Sequence, residues 1–308
     1  MTCWARVSPR LGRVSAAAAS RTIALPHCRV GYAEYGAEHG LPVLYCHGVP
    51  GTHVEGEAFD EAARAAGVRV IAVDRPGMAG SSLPAGQRVA DWVATVAALA
   101  DRLGLARFSV IGVSGGGPYA LAIAAGLPQR VPGVALVSAP APLDAQADAA
   151  ELDPVARRRR RGLNMLRRIP FLVHPMAVEM SMVVRRQKGV AGLVAQMAPV
   201  DRDRMHGDAE LTAKLAENLR RSFEQGSRGF ATDIRLVFTR DWGFALTDVT
   251  APVQIWHGEA DGNVPADDAH RLAAALPHAR IHLVPDAGHL LFVDRAADIL
   301  ASLALGDA

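Results

Sequence analysis

A serine surrounded by glycine is the first residue of this sequence whose setting suggests chemistry. Ser114 lies in "GVSGG" (112–116), at the end of the apolar run "RFSVIGVS" (107–114). A strand that turns sharply into a helix places its corner residue in a strained backbone conformation and requires very small neighbours, here Gly112 and Gly116. The pattern predicts a nucleophilic serine at a strand–helix turn. A glycine-rich turn with a helix-capping serine is the alternative.

A serine hydroxyl needs a base that removes its proton, and the base needs a partner that orients it. His289 is the best candidate among 11 histidines, because it follows the last strand-like run and would share a sheet edge with Ser114. Asp261 follows the preceding strand-like run and is the predicted carboxylate, with an Asp-Gly turn as its non-catalytic interpretation. Glu259 is a weaker competitor. The chain order Ser, Asp, His is the one expected for this kind of turn.

Charge that develops on a substrate carbonyl oxygen needs two N–H donors. The backbone N–H of Gly115, directly after the serine, is one candidate. The loop "YCHGVPG" (45–51) offers the N–H of Val49 as the other, and Gly48 lets the chain turn there. His47 either orients this loop by hydrogen bonding or is a packed turn histidine, and the sequence leaves both open.

The elements that position these residues follow from runs of apolar residues. Such nearly continuous runs are typical of parallel strands with helices on both faces. The strand-like runs lie at 42–48, 68–77, 107–114, 131–140, 251–261 and 279–289. Helix-like patterns lie at 53–67, 87–104, 115–127 and 292–304. The sequence therefore predicts an α/β fold with a mostly parallel central sheet and helices on both faces.

The alternation of strands and helices stops in the middle of the chain. Residues 142–245 have helix-like sequence rich in arginine and methionine, and strand character returns after them. An inserted helical segment explains this better than two separate domains, so we assign 23–141 and 246–308 to one α/β core. Residues 1–22, with four arginines and no acid, are predicted to be a disordered basic tail, and a targeting segment is the alternative.

Composition narrows the classes of function. Thirty-three basic and 31 acidic residues give a net charge of +2, which makes no case for a nucleic-acid partner. Three cysteines cannot build a disulfide framework and fit a reducing compartment. No apolar run approaches the roughly 20 residues of a membrane-spanning helix. We expect a cytoplasmic protein with no metal, organic cofactor or stable membrane insertion, and the oligomeric state stays open.

Four motifs together resemble the α/β-hydrolase superfamily. They are "HGVPG" (47–51), "DRPGMAGSS" (74–82), "GVSGG" (112–116) and the pair "HGEADGNVP" and "DAGH" (257–265 and 286–289). The resemblance covers about residues 29–141 and 246–308, and it implies that the insertion is a cap that shapes the substrate pocket. Relatives that open epoxides or remove halogens use an aspartate nucleophile, where this chain has Ser114.

The expected function is that of a serine esterase-like hydrolase. Ser114, His289 and Asp261 would cleave a carboxylic ester, thioester or lactone through an acyl-enzyme, with the N–H groups of Val49 and Gly115 on the oxyanion. The substrate would be a small molecule, apolar in its acyl or lactone part. The alternatives are carbon–carbon bond hydrolysis or perhydrolase-type chemistry on the same fold, and a non-catalytic small-molecule binder with a vestigial triad.

The arginine-rich stretch "ARRRRRGLNMLRR" (156–168) allows several interpretations. We favour a solvated helix whose inner face carries Leu163, Met165, Leu166 and Ile169. A membrane or nucleic-acid patch is less favoured, because the rest of the chain balances the charge. One or two arginines that face the pocket and select an anionic substrate are an intermediate possibility.

Overall fold

The computed structural model of the chain describes residues 19–84, 88–143, 154–186 and 189–303. Within these residues, eight strands form one sheet. The strands are β1 (Arg21–Ala24), β2 (Arg29–Gly36), β3 (Leu41–Cys46), β4 (Val68–Val73), β5 (Ser109–Val113), β6 (Val134–Val137), β7 (Val253–Gly258) and β8 (Ala279–Val284).

Across the sheet the strands lie in the order β1-β2-β4-β3-β5-β6-β7-β8. The pairs β1–β2 and β2–β4 are antiparallel, and the other pairs are parallel. The carboxyl ends of the parallel strands therefore share one edge of the sheet. β5 is buried at every position, which is why its sequence reads as a continuous apolar run.

Helices cover both faces of the sheet. The helices are α1 (Asp60–Ala65), α2 (Trp92–Arg102), α3 (Gly117–Gly126), α4 (Pro154–Arg168), α5 (Val173–Arg185), α6 (Gly189–Ala195), α7 (Pro199–His206), α8 (Ala209–Ser222), α9 (Arg228–Phe238), α10 (Asp267–Ala275) and α11 (Leu291–Ser302). Alternate residues of β3 point to opposite faces: Leu44 joins an apolar cluster with α2, α3 and α10, and Tyr45 joins another with α1 and α11.

Of the residues that the structure describes between β6 and β7, those of α4 to α9 form six helices, and we call residues 154–238 the helical insertion. The insertion has an apolar cluster of its own, which includes Val173, Leu219, Phe223 and Phe230. Met78, from the loop after β4, belongs to the same cluster. The insertion therefore packs directly against loops at the carboxyl edge of the sheet.

The predicted α/β fold is confirmed, with a mostly parallel sheet and helices on both faces. The antiparallel strands β1 and β2 were not predicted. β1 is mostly exposed and forms no apolar run, and in β2 the apolar residues are interrupted by Gly31 and Glu34. β1 begins at Arg21, inside the predicted tail of residues 1–22, and residues 1–18 lie outside the described residues. The division into core segments 23–141 and 246–308 and a cap at 142–245 stays a prediction.

Candidate active site

Ser114 lies where β5 ends and a short 3-10 turn leads into α3. Its φ of 50° is in the left-handed region, which residues with side chains rarely adopt. A Cβ on Gly116 would lie 2.0 Å from the carbonyl oxygen of Cys46, and one on Gly112 would lie 2.7 Å from Cβ of Ala120. The close approach of α3 to β3 and β5 is thus the physical reason for glycine on both sides of the serine.

His289 and Asp261 follow β8 and β7 and meet at the same edge of the sheet. His289 Nδ1 lies 2.8 Å from Asp261 Oδ2. Asp261 Oδ1 accepts hydrogen bonds from the backbone N–H groups of Asn263 and Val264, at 2.8 and 2.9 Å. The Asp261 side chain is fully buried, whereas Glu259, the weaker candidate, is exposed. The fixed carboxylate holds the imidazole in one orientation, with the proton on Nδ1.

The charges around His289 favour its protonated form. Burial lowers the pKa of His289, but the carboxylates of Asp261, Asp201 and Glu55 outweigh that effect and raise the pKa above its ordinary value. Burial raises the pKa of Asp261, but His289 and the hydrogen bonds to the carboxylate hold that pKa below its usual value. The site therefore stabilises an imidazolium facing an ionised carboxylate.

Ser114 lies at the same edge of the sheet as this pair but is not hydrogen-bonded to it. Among the described residues, no hydrogen bond joins the Ser114 hydroxyl to His289. A Cβ on Gly48 would lie 3.5 Å from Ser114 Cβ and 3.3 Å from Glu55 Oε2, so these two side chains flank one small gap. Glu55 is in turn close enough to His289 for each charge to shift the other pKa. The structure pairs two of the three predicted residues and gathers all three at one edge.

The two predicted oxyanion donors lie next to each other. A Cβ on Gly115 would lie 2.2 Å from Val49 Cγ2 and 3.6 Å from Val49 N. The N–H of Gly115 belongs to the first turn of a helix, where N–H groups have no acceptor within the helix. The helix dipole adds a partial positive charge at this position. Gly115 and Val49 are thus neighbours beside Ser114, at the amino end of a helix.

His47 and Arg75 hold the backbone of the loop that carries Val49. The backbone N–H of Arg75 donates to His47 Nε2 at 3.1 Å. The ring proton of His47 is therefore on Nδ1, which donates to the carbonyl oxygen of Gly48 at 2.9 Å. Burial and the charge of Arg75 lower the pKa of His47 well below its usual value, which keeps the ring neutral. The Arg75 guanidinium also donates to the carbonyl oxygens of His47 and Gly48.

Sequence reasoning missed the carboxylate of Glu55, which follows the same loop. Glu55 Oε1 accepts hydrogen bonds from the Gly48 N–H and the Tyr45 hydroxyl, each at 2.8 Å. Asn218 Nδ2 donates to the other oxygen at 3.5 Å. Burial raises the pKa of Glu55 above its usual value. A partly accessible carboxyl group thus forms one wall of the gap beside Ser114.

Sequence reasoning also missed Asp201, which α7 of the helical insertion contributes to the site. This carboxylate is 5 % exposed and accepts hydrogen bonds from the backbone N–H groups of His289 and Leu290, at 2.9 and 3.0 Å. A Cβ on Gly288 would lie 2.4 Å from Asp201 Oδ1, so glycine is required where the carboxylate meets the turn. The insertion therefore holds the turn that carries the imidazole.

Two more buried polar residues of the insertion contact the loops of the site. Asn218 Oδ1 accepts from both the N–H and the hydroxyl of Thr52, at 2.8 Å each. Asp233 forms an ion pair with Arg75 at 2.7 Å and accepts from the Tyr119 hydroxyl at 2.9 Å. Only a weak pattern in the sequence pointed to Asp233: it is the single acid on the otherwise apolar inner face of α9.

Within the described ranges, no cluster of three or more His, Cys, Asp or Glu side chains is arranged to hold a metal ion. The helices of those ranges are also too short or too polar to cross a membrane.

Comparison with known proteins gives a consistent picture. Residues 42–296 match the family model for the alpha/beta hydrolase fold. The chain is 28 % identical over 300 residues to the 2-hydroxymuconate semialdehyde hydrolase of Pseudomonas putida, an alignment that covers 94 % of this chain and 91 % of that protein. Among solved structures, an alpha/beta hydrolase fold protein from Nakamurella multipartita matches with a TM-score of 0.63 and 28 % identity, over 92 % of this chain and 99 % of that one.

A further relative is longer than this chain. The chain is 29 % identical over 273 residues to the dihydrolipoyllysine-residue acetyltransferase component of the acetoin cleaving system of Pseudomonas putida. The alignment covers 86 % of this chain but only 63 % of that protein.

Proposed function

Because the chain belongs to the alpha/beta hydrolase fold family, we propose that it is a serine hydrolase that cleaves a carboxylic ester, thioester or lactone. The observation that carries the proposal is the 2.8 Å contact between His289 Nδ1 and Asp261 Oδ2. This contact lies at the sheet edge where Ser114 is held in a left-handed conformation. Nucleophile, base and orienting carboxylate are thus supplied by the ends of three parallel strands.

The reaction runs in two halves. Ser114 Oγ attacks the carbonyl carbon while His289 Nε2 accepts the hydroxyl proton, and the tetrahedral intermediate forms. His289 then gives this proton to the leaving oxygen or sulfur, and an acyl-enzyme remains on Ser114. A water molecule then attacks the acyl carbon and gives a proton to His289. His289 returns this proton to Ser114 Oγ as the bond between Ser114 and the acyl carbon breaks, which releases the acid and restores the free serine. Asp261 stays ionised throughout and stabilises the imidazolium.

The oxyanion of each tetrahedral intermediate accepts hydrogen bonds from the N–H groups of Val49 and Gly115. Loss of one such donor generally lowers kcat by about 10²- to 10³-fold. Arg75 and His47 support this step indirectly, because they hold the carbonyl groups of the loop and leave the Val49 N–H to the substrate.

We propose that the hydrogen bond between Ser114 and His289 forms when the substrate binds. Catalytic hydrogen bonds are often long or misaligned in the free enzyme and tighten in the complex. In our proposal, the Ser114 hydroxyl turns to His289 Nε2 when a substrate carbonyl occupies the oxyanion site.

We also propose that the helical insertion acts as the cap of the site, within the predicted limits 142–245. Val49 packs against the apolar cluster of the insertion, so the insertion lies directly against the oxyanion loop. The apolar side chains where the insertion meets this loop favour a small substrate with an apolar acyl or lactone part. No organic cofactor is needed for the proposed steps.

A second candidate reaction follows from one of the relatives. The Pseudomonas putida relative is named for the hydrolysis of 2-hydroxymuconate semialdehyde and aligns with 94 % of this chain. The same serine and imidazole would serve that substrate class. We therefore add 2-hydroxymuconate semialdehyde to the substrate panel and compare its kcat/KM with the kcat/KM of each ester.

The test combines a covalent probe with a substrate panel. A fluorophosphonate probe and p-nitrophenyl esters of increasing acyl length are applied to the wild type, Ser114→Ala and Ser109→Ala. Ser109 is buried at the other end of β5 and is the matched control. We expect Ser114→Ala to lose labelling and to lower kcat by about 10⁴- to 10⁶-fold, with Ser109→Ala unchanged.

Equal rates in the wild type and Ser114→Ala would refute the mechanism. A wild type that is neither labelled nor active would favour a binder with a vestigial triad. A kcat/KM for 2-hydroxymuconate semialdehyde above that of every ester, lost in Ser114→Ala, would select the second candidate.

A further inference from the structure

Exposed apolar side chains are concentrated on one part of the helical insertion. In the described part of the chain, five large hydrophobic side chains are exposed, and all five fall between residues 165 and 182. They are Met165 (51 % exposed), Phe171 (74 %), Met176 (49 %), Val178 (38 %) and Met182 (50 %). Such clustering differs from the scattered exposed apolar residues that are normal on protein surfaces.

The geometry of the helices fixes this exposure. α5 buries Val173, Ala177, Ser181 and Val184, which recur at helical spacing and face the cluster inside the insertion. Met176 and Met182 cannot turn inward unless the helix rotates and exposes those residues. Met165 was predicted to face inward with Leu166, and this was wrong. Leu166 is buried, whereas Met165 is exposed, because adjacent positions on a helix point in directions that differ by about 100°.

The same segment carries a strong positive charge. Residues 154–188 contain nine arginines and Lys188 but a single acid, Glu179, whereas the whole chain is nearly neutral. Arg161 and Arg168 on α4 and Arg186 after α5 are exposed. We call the exposed residues of 161–186 the basic–apolar face.

Two features of this face point to its partner. Phe171 is 74 % exposed and protrudes between α4 and α5, so it suits a soft apolar layer that it can enter. Four of the five exposed apolar side chains are methionine or valine, which lack the ring faces on which single-stranded bases stack. Arginines that flank apolar side chains on an amphipathic helix are the pattern of proteins that lie on membrane surfaces.

We infer that the basic–apolar face docks on the surface of an anionic lipid bilayer. Phe171 and the three exposed methionines enter the interfacial layer, and the arginines contact lipid phosphates. The long arginine side chains reach the headgroups while their aliphatic stems stay beside the apolar residues. This docking is peripheral, and it does not depend on the proposed catalytic activity.

The test is vesicle flotation of the full chain. Vesicles of phosphatidylcholine alone are compared with vesicles that contain phosphatidylglycerol at 30 mol%, each at low and at high salt, with about 50 and 500 mM NaCl as suitable points. We expect the protein to float with the anionic vesicles at low salt, to be released at high salt, and to stay in solution with the neutral vesicles.

Three variants separate the contributions. Phe171→Ser and the double variant Arg161→Gln/Arg168→Gln should each weaken binding to anionic vesicles by about tenfold. The double variant Arg64→Gln/Arg295→Gln, exposed arginines on α1 and α11, is the matched charge control and should bind like the wild type. All three variants change exposed residues, and thermal unfolding checks that each is folded.

The inference fails if the wild type binds neither kind of vesicle, or binds both equally. It also fails if the Arg64/Arg295 control loses as much binding as the Arg161/Arg168 variant. Binding of the same variants to polyglutamate, an acidic polypeptide, is measured in parallel. If Phe171→Ser still binds vesicles fully and Arg161→Gln/Arg168→Gln loses binding to polyglutamate, the partner of the face is an acidic protein and not a bilayer.

Discussion

The sheet core and the helical insertion serve the candidate site in different ways. The core supplies Ser114 directly at the end of β5, and it supplies Asp261 and His289 from the turns that follow β7 and β8. The insertion supplies none of the three, but Asp201 and Asn218 reach across to the turns beside them. Residues placed by a sheet need little further support, whereas residues on loops depend on contacts from elsewhere in the fold.

The largest effect should come from the core, at the carboxylate that orients the imidazole. Asp261→Asn should lower kcat/KM by about 10³- to 10⁴-fold, because an amide favours the wrong tautomer of His289. Removal of the charge that raises the pKa of His289 should also move the acid limb of the pH–rate profile to lower pH. The base must be neutral to accept a proton, so activity rises with pH through that pKa.

The measurement is kcat/KM against pH for a p-nitrophenyl ester. Glu259→Gln is the matched control, since Glu259 is exposed and lies two residues away. Normal activity in Asp261→Asn together with a large loss in Glu259→Gln would reverse the two roles.

An intermediate effect should come from the insertion. Asp201→Asn leaves one of the N–H groups of His289 and Leu290 facing an amide NH₂, so the turn shifts and kcat falls by about 10- to 100-fold. The acid limb should again move to lower pH, because Asp201 is one of the groups that raise the pKa of His289, beside Asp261 and Glu55.

Asp203→Asn on the same helix is the control, since its side chain is largely exposed. A lower rate with an unmoved acid limb would limit Asp201 to a purely structural part. If Asp201→Asn and Asp203→Asn have the same kcat and the same acid limb, the Asp201 contact from the insertion does not support catalysis.

The smallest effect should appear at Glu55, where core and insertion meet. The folded chain holds the Glu55 proton more tightly than the unfolded chain, so its ionisation costs stability as the pH rises above about 4.3. Glu55→Gln should avoid this loss and raise Tm at pH 7 by about 1–3 °C.

Thermal unfolding between pH 4 and 8 measures this difference. Glu57→Gln, which removes an ion pair with Lys214 from the same turn, should give no such gain. A lower Tm for Glu55→Gln at pH 7 would mean that the bonds from Gly48 and Tyr45 require the full charge.

The sequence was sufficient where the chemistry depends on local chain geometry. Glycines around Ser114 report a turn that a side chain would block, and the ends of apolar runs place Asp261 and His289 on one edge. This is why the fold and the three candidate residues could be predicted, although their roles still await the experiments above.

The insertion resisted prediction because its contacts are tertiary. Asp201 lies 88 residues before His289 in the chain, and nothing local distinguishes it from Asp203, the other acid of the same short helix. Met165 was misplaced for a related reason: helical periodicity defines faces but does not say how wide the buried face is. Glu55 was missed because the turn that brings it back to Gly48 has no distinctive sequence and because its other partner, Asn218, lies 163 residues further along the chain.

The buried ion pair between Arg75 and Asp233 limits how this family member can evolve. A chimera that received a foreign insertion without an acid at position 233 would leave the Arg75 guanidinium unpaired in the interior, at a cost of about 3–5 kcal/mol. The loop carrying Val49 would lose its anchor at the same time. An insertion acquired from another lineage must therefore carry an acid that pairs with Arg75, or Arg75 must be replaced at the same time.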